Sequence, residues 1–206
     1  MKTVLFGMTP RMILKKCLVY NILMQTFSQY LREAETVHQK LRQIINPTER
    51  LVSSDRSSFT SSFNIEQQKV TGTEEYMPSG VDMKPKGMWY GIGTSWIDWA
   101  EENGMGTGKY FYTIVIRPER VIVVTPENLG QFERKYGKMH SRFGFKFINW
   151  YDVAQQYDGV EFNPYGKFTS RAAMKSIWYS GVDVPSGCIW NSRAIQSFKP
   201  VSLDEV

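Results

Sequence analysis

Two neighbouring runs of β-branched and aromatic residues constrain the fold of this chain most strongly. Residues 109–118 read KYFYTIVIRP and residues 120–125 read RVIVVT, with a proline-containing turn between them. Branched side chains lose rotamer freedom in a helix, so such runs favour extended strands. The chain therefore predicts a β-sheet that contains these two strands.

Strand and helix patterns alternate through the rest of the C-terminal half. The strand patterns are short, and several end at glycine or proline. Two of the helix patterns have a candidate N-cap, Ser95 in one and Thr125 in the other. Many short strands with a few small helices indicate the α+β class. The predicted strands include 67–77, 87–93, 158–165 and 175–191, and the predicted helices are 95–103, 125–137 and 149–157.

An apolar stripe with helical period runs through residues 11–45 and predicts an N-terminal helix or helix pair. The helix ends at Asn46–Pro47 because the residue before proline disfavours the helical conformation. It is either a helix that docks on the domain or one that mediates oligomerisation or partner binding. Six serines between residues 53 and 64 are typical of a polar linker. We therefore predict a helical segment at 1–52, a linker at 53–66 and an α+β domain at 67–206.

Composition and charge narrow the functional classes. The chain of 206 residues has 25 Lys and Arg against 20 Asp and Glu, and this excess of +5 is compatible with anionic partners. It has no run of five basic residues, so a basic nucleic-acid-binding arm is not indicated. Two distant cysteines and two histidines make a zinc site improbable. We expect a cytoplasmic protein without a metal and without a membrane span.

An aromatic cluster occupies residues 87–104, GMWYGIGTSWIDWAEENG, and contains half of the six tryptophans in the chain. A buried core is more often built from Leu, Ile and Val. Flat rings beside glycine backbone are instead typical of sites that bind planar ligands. The cluster is thus the candidate binding site, and it includes Trp89, Tyr90, Trp96 and Trp99.

Glu161 lies in the middle of the strand pattern YDGVEFNPY. With a period of two, Val160 and Phe162 point to one face of the strand and Glu161 points to the other. A carboxylate among aromatic residues is costly to bury unless it faces a cleft or meets a partner. Glu161 is therefore either an ordinary solvent-facing residue or a carboxylate of a functional site.

The order of these segments resembles the ADP-ribosyltransferase fold, whose members cleave NAD between nicotinamide and ribose. A glycine-aromatic strand and a serine-initiated helix are followed by a strand pair, another helix and the YDGVEF strand, across roughly residues 67–165. The resemblance implies an α+β fold with a small split sheet, antiparallel or mixed. The predicted N-terminal helical extension falls outside the resemblance. It also implies that NAD is the substrate.

The implied reaction is mono-ADP-ribosyl transfer to a macromolecular acceptor, either protein or nucleic acid. The mild positive charge and compact size would suit a toxin or viral effector that acts in a host cytoplasm. The resemblance assigns Glu161 to stabilising the positive charge that develops on the ribose when the glycosidic bond breaks.

The resemblance also implies a nicotinamide-binding set. In the family, the first strand of the fold carries an Arg, or a His followed by Gly, and the nearest candidates after QQKV are Thr71 and Gly72. Ser95 either contacts the ribose or amide, or only caps its helix. The remaining members of the set are Gly87, Trp89, Tyr90, Trp96 and Trp99.

Two other functions remain open from the sequence. A non-catalytic module could use the aromatic residues as a groove for protein or single-stranded nucleic acid, because bases stack on Trp and Tyr. The chain could also be a transferase fold that has lost its activity. Stabilisation by NAD or nicotinamide would indicate the enzyme, whereas a salt-dependent response to an oligonucleotide would indicate the module.

Overall fold

The computed structural model describes residues 20, 22–26, 29, 33, 36–55, 83–139, 145–166 and 176–203. The chain divides into two compact units, residues 1–44 and residues 45–205. Three predicted features lie outside the described residues: most of the serine-rich linker, the strand expected after residue 67, and the candidates Thr71 and Gly72.

The described part of the first unit is helical, as the apolar stripe predicts. Helix α1 comprises residues 36–44, and residues 20, 22–26, 29 and 33 are also helical. Tyr20 and Leu23 are exposed. Within the described part of the chain, no helix is long and apolar enough to cross a membrane.

The second unit is built on a curled sheet of seven strands. It also contains the helices α2 (Ser95–Glu102), α3 (Leu129–Tyr136) and α4 (Trp150–Ala154). A separate two-stranded sheet consists of β5 (Gly137–Met139) and β6 (Lys146–Ile148). The seven strands are β1 (Arg50–Ser54), β2 (Met88–Ile92), β3 (Tyr110–Ile116), β4 (Val121–Val123), β7 (Gly159–Phe162), β8 (Ser186–Ile189) and β9 (Ile195–Pro200).

The strand order in the large sheet is β4-β7-β8-β2-β1-β3-β9. All neighbours are antiparallel except β4 and β7, which are parallel. A mostly antiparallel sheet with a few short helices confirms the predicted α+β class. The strands predicted in the aromatic cluster and around Glu161 are present as β2 and β7.

Strand β1 was not predicted. Its residues were assigned to the helical segment and the linker, yet it lies inside the sheet between β2 and β3. In RLVSS only Leu51 and Val52 are apolar, so the segment has little strand signal of its own. Its backbone hydrogen bonds come from two strands that lie far along the sequence. The compact unit accordingly begins at residue 45 rather than at 67.

The sheet separates two apolar layers. Side chains of β7 and β8 such as Val160, Phe162 and Cys188 pack on one face, against α3, α4 and the aromatic residues around Trp178. Tyr90 belongs to the layer on the opposite face. Because successive side chains in a strand alternate between faces, these layers determine which way each candidate site residue points.

We expect Phe162→Ala to lower the free energy of unfolding by about 3–5 kcal/mol, because the ring is fully buried and its removal leaves a cavity. The control is Val123→Ala on the neighbouring strand β4, where the side chain is 42% exposed and the change should stay within about 0.5 kcal/mol. Urea denaturation measures both. Equal effects of the two substitutions would contradict the described layer.

Candidate functional site

A cavity of about 330 Å³ lies against one face of β1, β2 and β8. Its size falls at the lower end of the range of small-molecule sites, about 300–1,000 Å³. Trp96 of α2 and the segment 182–184 complete its wall. The lining residues are Leu51, Ser53, Lys84, Trp89, Tyr90, Gly91, Trp96, Val182, Asp183, Val184 and Ser186.

The two tryptophans of the cavity are held by neighbours outside it. The indole Nε1–H of Trp89 donates a 3.3 Å hydrogen bond to the Pro85 carbonyl, and its ring stacks on Phe162 with centroids 6.5 Å apart. Trp96 stacks on Trp99 at 5.0 Å, as residues three apart on a helix can do. The structure thus brings Trp89 and Trp96 together at the cavity, and Trp99 packs against Trp96. Tyr90 also borders the cavity, but its ring lies in the apolar layer on the opposite face of the sheet.

Two predicted contacts are not part of the cavity lining. Helix α2 begins after Thr94, whose hydroxyl donates to Asp98, and the Ser95 hydroxyl instead donates to the Pro185 carbonyl at 2.9 Å. The N-cap position is therefore Thr94, one residue before the predicted Ser95. A Cβ at Gly87 would lie 2.3 Å from the Ile189 carbonyl oxygen, so this glycine permits close contact with β8 rather than with a ligand.

An ion pair lies beside the aromatic wall. Lys84 Nζ is 3.1 Å from Asp183 Oδ2 and 5.4 Å from the centroid of the Trp89 ring. Both side chains remain partly exposed, by 39% for Lys84 and 30% for Asp183. Asp183 is the carboxylate among the residues that line the cavity.

Glu161 points to the face of the sheet opposite the cavity. The prediction that this carboxylate acts beside the tryptophans of the aromatic cluster is therefore not observed. In the strand register Glu161 lies opposite Gly187, and Gly187 lies opposite Tyr90. The cavity residues Trp89 and Gly91 flank Tyr90 and therefore point the opposite way. The sequence placed Glu161 correctly relative to Val160 and Phe162, but it did not show on which face the tryptophans lie.

Glu161 forms a buried network with Arg50 and Tyr90. Its Oε2 accepts hydrogen bonds from Arg50 Nε at 2.6 Å and from the Tyr90 hydroxyl at 2.8 Å, and its Oε1 accepts one from Arg50 Nη2 at 3.1 Å. Glu161 is only 4% exposed and Tyr90 only 2%. A two-point contact with a guanidinium is the arrangement that best compensates a buried carboxylate.

This network shifts the pKa values of Tyr90 and Arg50. Burial raises the pKa of Tyr90 well above its ordinary value, and the charge and hydrogen bond of Glu161 raise it further. Burial disfavours the charged guanidinium of Arg50, but the hydrogen bond and charge of Glu161 outweigh this effect and raise its pKa. Tyr90 therefore stays a neutral hydrogen-bond donor at physiological pH.

Gly187 makes the network possible. Strand β8 lies between β2 and β7, so the Tyr90 ring must pass over it to reach Glu161. A Cβ at position 187 would lie 2.3 Å from both Cζ and the hydroxyl oxygen of Tyr90. Sequence analysis identified neither Gly187 nor Arg50, because their roles depend on strands distant in the chain.

A second buried carboxylate is also paired with arginine side chains. Asp158 is 2% exposed and pairs with Arg193 at 2.8 Å and with Arg120 at 3.5 Å, just before β7.

Burial raises the pKa of the Cys188 thiol well above its usual range, so it is no nucleophile at neutral pH. The residues that the structure describes contain no group of three or more His, Cys, Asp or Glu that could hold a metal.

We expect Gly187→Ala to lower the free energy of unfolding by about 1–3 kcal/mol, because its methyl group forces Tyr90 away from Glu161. Gly130→Ala is the control: a Cβ there meets no atom closer than 3.6 Å, and alanine favours the helix. Chemical denaturation compares the two variants. A stable Gly187→Ala protein would show that Tyr90 does not cross β8 in this way.

The raised pKa of Tyr90 predicts alkaline destabilisation. Above pH 10 the unfolded chain loses a proton that the folded protein keeps, so the free energy of unfolding falls with pH, by up to about 1.4 kcal/mol per pH unit for this one proton. Tyr90→Phe should make the decline shallower. The pKa values of Tyr165 and Tyr179 are raised as well, chiefly by burial, so some decline should persist. An unchanged slope between pH 10 and 11 would contradict this assignment.

Comparison with known proteins finds no matching family model, no similar curated protein and no similar solved structure.

Proposed function

We propose that this protein binds the nicotinamide end of NAD in the cavity and transfers ADP-ribose to a macromolecular acceptor. The observation that carries the proposal is the cavity wall, in which Trp89 of β2 and Trp96 of α2 stand beside the carboxylate of Asp183. Aromatic faces bind a planar ring by stacking, and a nearby carboxylate favours positive charge.

A second parallel with the resemblance lies on the face of the sheet opposite the cavity. The resemblance calls for an arginine, or a histidine and glycine, on the first strand, and β1 begins with Arg50. Arg50, Tyr90 and Glu161 lie on three strands, β1, β2 and β7, and meet through hydrogen bonds. Thr71 and Gly72, which sequence analysis suggested for the first-strand contact, are not needed for this match.

The proposed reaction breaks the bond between the nicotinamide nitrogen and C1′ of the ribose. The bonding electrons leave with nicotinamide, which departs neutral, and positive charge develops on the ribose. The acceptor nucleophile then bonds to C1′ and loses its proton to solvent. A fixed carboxylate at the cavity stabilises this charge more in the transition state than in bound NAD.

We assign this stabilising role to Asp183, because it lines the cavity and Glu161 does not. Glu161 is instead a positioning residue. It accepts a 2.8 Å hydrogen bond from the Tyr90 hydroxyl on the opposite face of the sheet, and the residues on either side of Tyr90 in β2, Trp89 and Gly91, line the cavity.

Asp183→Asn should reduce nicotinamide release from NAD by about 10²–10³-fold, the usual cost of removing one electrostatic contact to a transition state. Thermal stability should change little, because a partly exposed ion pair contributes about 0–1 kcal/mol. The matched control is Asp152→Asn, which disrupts the exposed Lys138–Asp152 pair outside the cavity and should leave release unchanged. Chromatography of released nicotinamide measures both.

Glu161→Gln distinguishes the two carboxylates in the same assay. Full release by Asp183→Asn together with loss in folded Glu161→Gln would move the catalytic role to Glu161. Absence of nicotinamide release and of labelled acceptor from the folded wild-type protein in a cell lysate would reject the transferase. Salt-dependent stabilisation by an oligonucleotide, without any by NAD, would then favour the binding module.

A further inference from the structure

We infer that the cavity is selective for planar organic cations and that Lys84 holds the cation position until such a ligand arrives. The inference rests on the proposed function only in naming the pyridinium ring of oxidised NAD as the natural occupant. Its physical basis is the placement of one ammonium group, one aromatic face and one carboxylate.

The protein already binds a cation at this position. The ammonium of Lys84 lies 5.4 Å from the Trp89 centroid and 3.1 Å from Asp183 Oδ2. A positive group within about 6 Å of a tryptophan face is attracted by the electrons of the ring. Trp89 and Asp183 thus form a cation site, and a side chain of the same chain occupies it.

The two groups that receive the cation, Trp89 and Asp183, are both held in place. Trp89 is fixed by its hydrogen bond to Pro85 and by stacking on Phe162. Asp183 lies between Val182 and Val184, which are 3% and 9% exposed. The receiving groups are therefore held in place by buried neighbours.

Lys84 is the part that can leave. Its side chain is 39% exposed, and a lysine has four flexible methylene groups. The Lys84 side chain passes close over Gly181, because a Cβ added at position 181 would lie 3.2 Å from Lys84 Cε. When a ligand cation replaces the ammonium, the Asp183 charge remains compensated and Lys84 is released into water.

The aromatic lining of the cavity favours a planar cation. Trp96, stacked on Trp99, contributes a second aromatic surface to the lining. A flat heterocyclic cation can bury its ring against these indoles and present its charge to Asp183. A reduced nicotinamide ring is neutral and gains only the stacking, so the site should prefer the oxidised cofactor.

Three small ring compounds of nearly equal size test the charge preference. We expect 1-methylnicotinamide, a cation, to bind about 10-fold more tightly than neutral nicotinamide, as 1.4 kcal/mol of cation–π and carboxylate attraction would give. Nicotinate, an anion, should bind most weakly. Isothermal titration calorimetry of the full chain with each compound gives the affinities.

Variants of the two charged residues test the displacement. Lys84→Met removes the resident competitor and should raise the affinity for 1-methylnicotinamide several-fold, whereas Asp183→Asn should lower it about 10-fold. The control Lys138→Met removes a lysine from an exposed pair outside the cavity and should change nothing. Circular dichroism checks that each variant is folded, and Lys84→Gln replaces Lys84→Met if the latter does not fold.

The following binding results overturn the inference. Equal affinity for the cation and the neutral ring, absence of binding by all three compounds, or unchanged affinity in folded Lys84→Met would do so. Tighter binding of nicotinate would show that Lys84 receives an anion instead. Cation selectivity without nicotinamide release from NAD would reject the proposed transferase alone, and release without charge preference would reject this inference alone.

Discussion

The alternation of side chains along β2 is the constraint on which the candidate site depends. Trp89 and Gly91 point to the cavity, while Tyr90 between them points to the opposite layer. Adjacent residues of one short strand thereby serve two separate purposes. A shift of one residue in the register of β2 would exchange them, placing Tyr90 in the cavity and Trp89 beneath the sheet.

The buried network on the opposite face explains how the sheet is held at this point. Arg50 lies on β1 and Glu161 on β7, and two strands lie between them. In a flat sheet the backbones of β1 and β7 would be roughly 14 Å apart. Their 2.6 Å contact requires both long side chains and the curl of the sheet. The absent side chain of Gly187 lets Tyr90 join them. The Arg50–Glu161 ion pair thus depends on the curl of the sheet, and the Tyr90 hydrogen bond to Glu161 depends on Gly187.

The two faces also differ in the kind of chemistry that they permit. Glu161 is enclosed and fully partnered, which suits a group that fixes its neighbours. Asp183 pairs with the exposed Lys84 and has partial access to water, which suits a group that exchanges one cation for another. Burial alone is therefore a poor guide to which carboxylate acts on a ligand, and the proposed roles follow from accessibility and partners.

The sequence by itself determined the α+β class, the strands β2, β3, β4 and β7 and the aromatic cluster, because these are properties of local pattern. It also placed Glu161 opposite Val160 and Phe162, since a period of two is local. Only the tertiary structure decided that β1 enters the sheet with Arg50, that Gly187 admits Tyr90, and that Asp183 rather than Glu161 faces the tryptophans. Those features depend on which distant strands pair and on which face of the sheet each layer packs, and no local pattern specifies either.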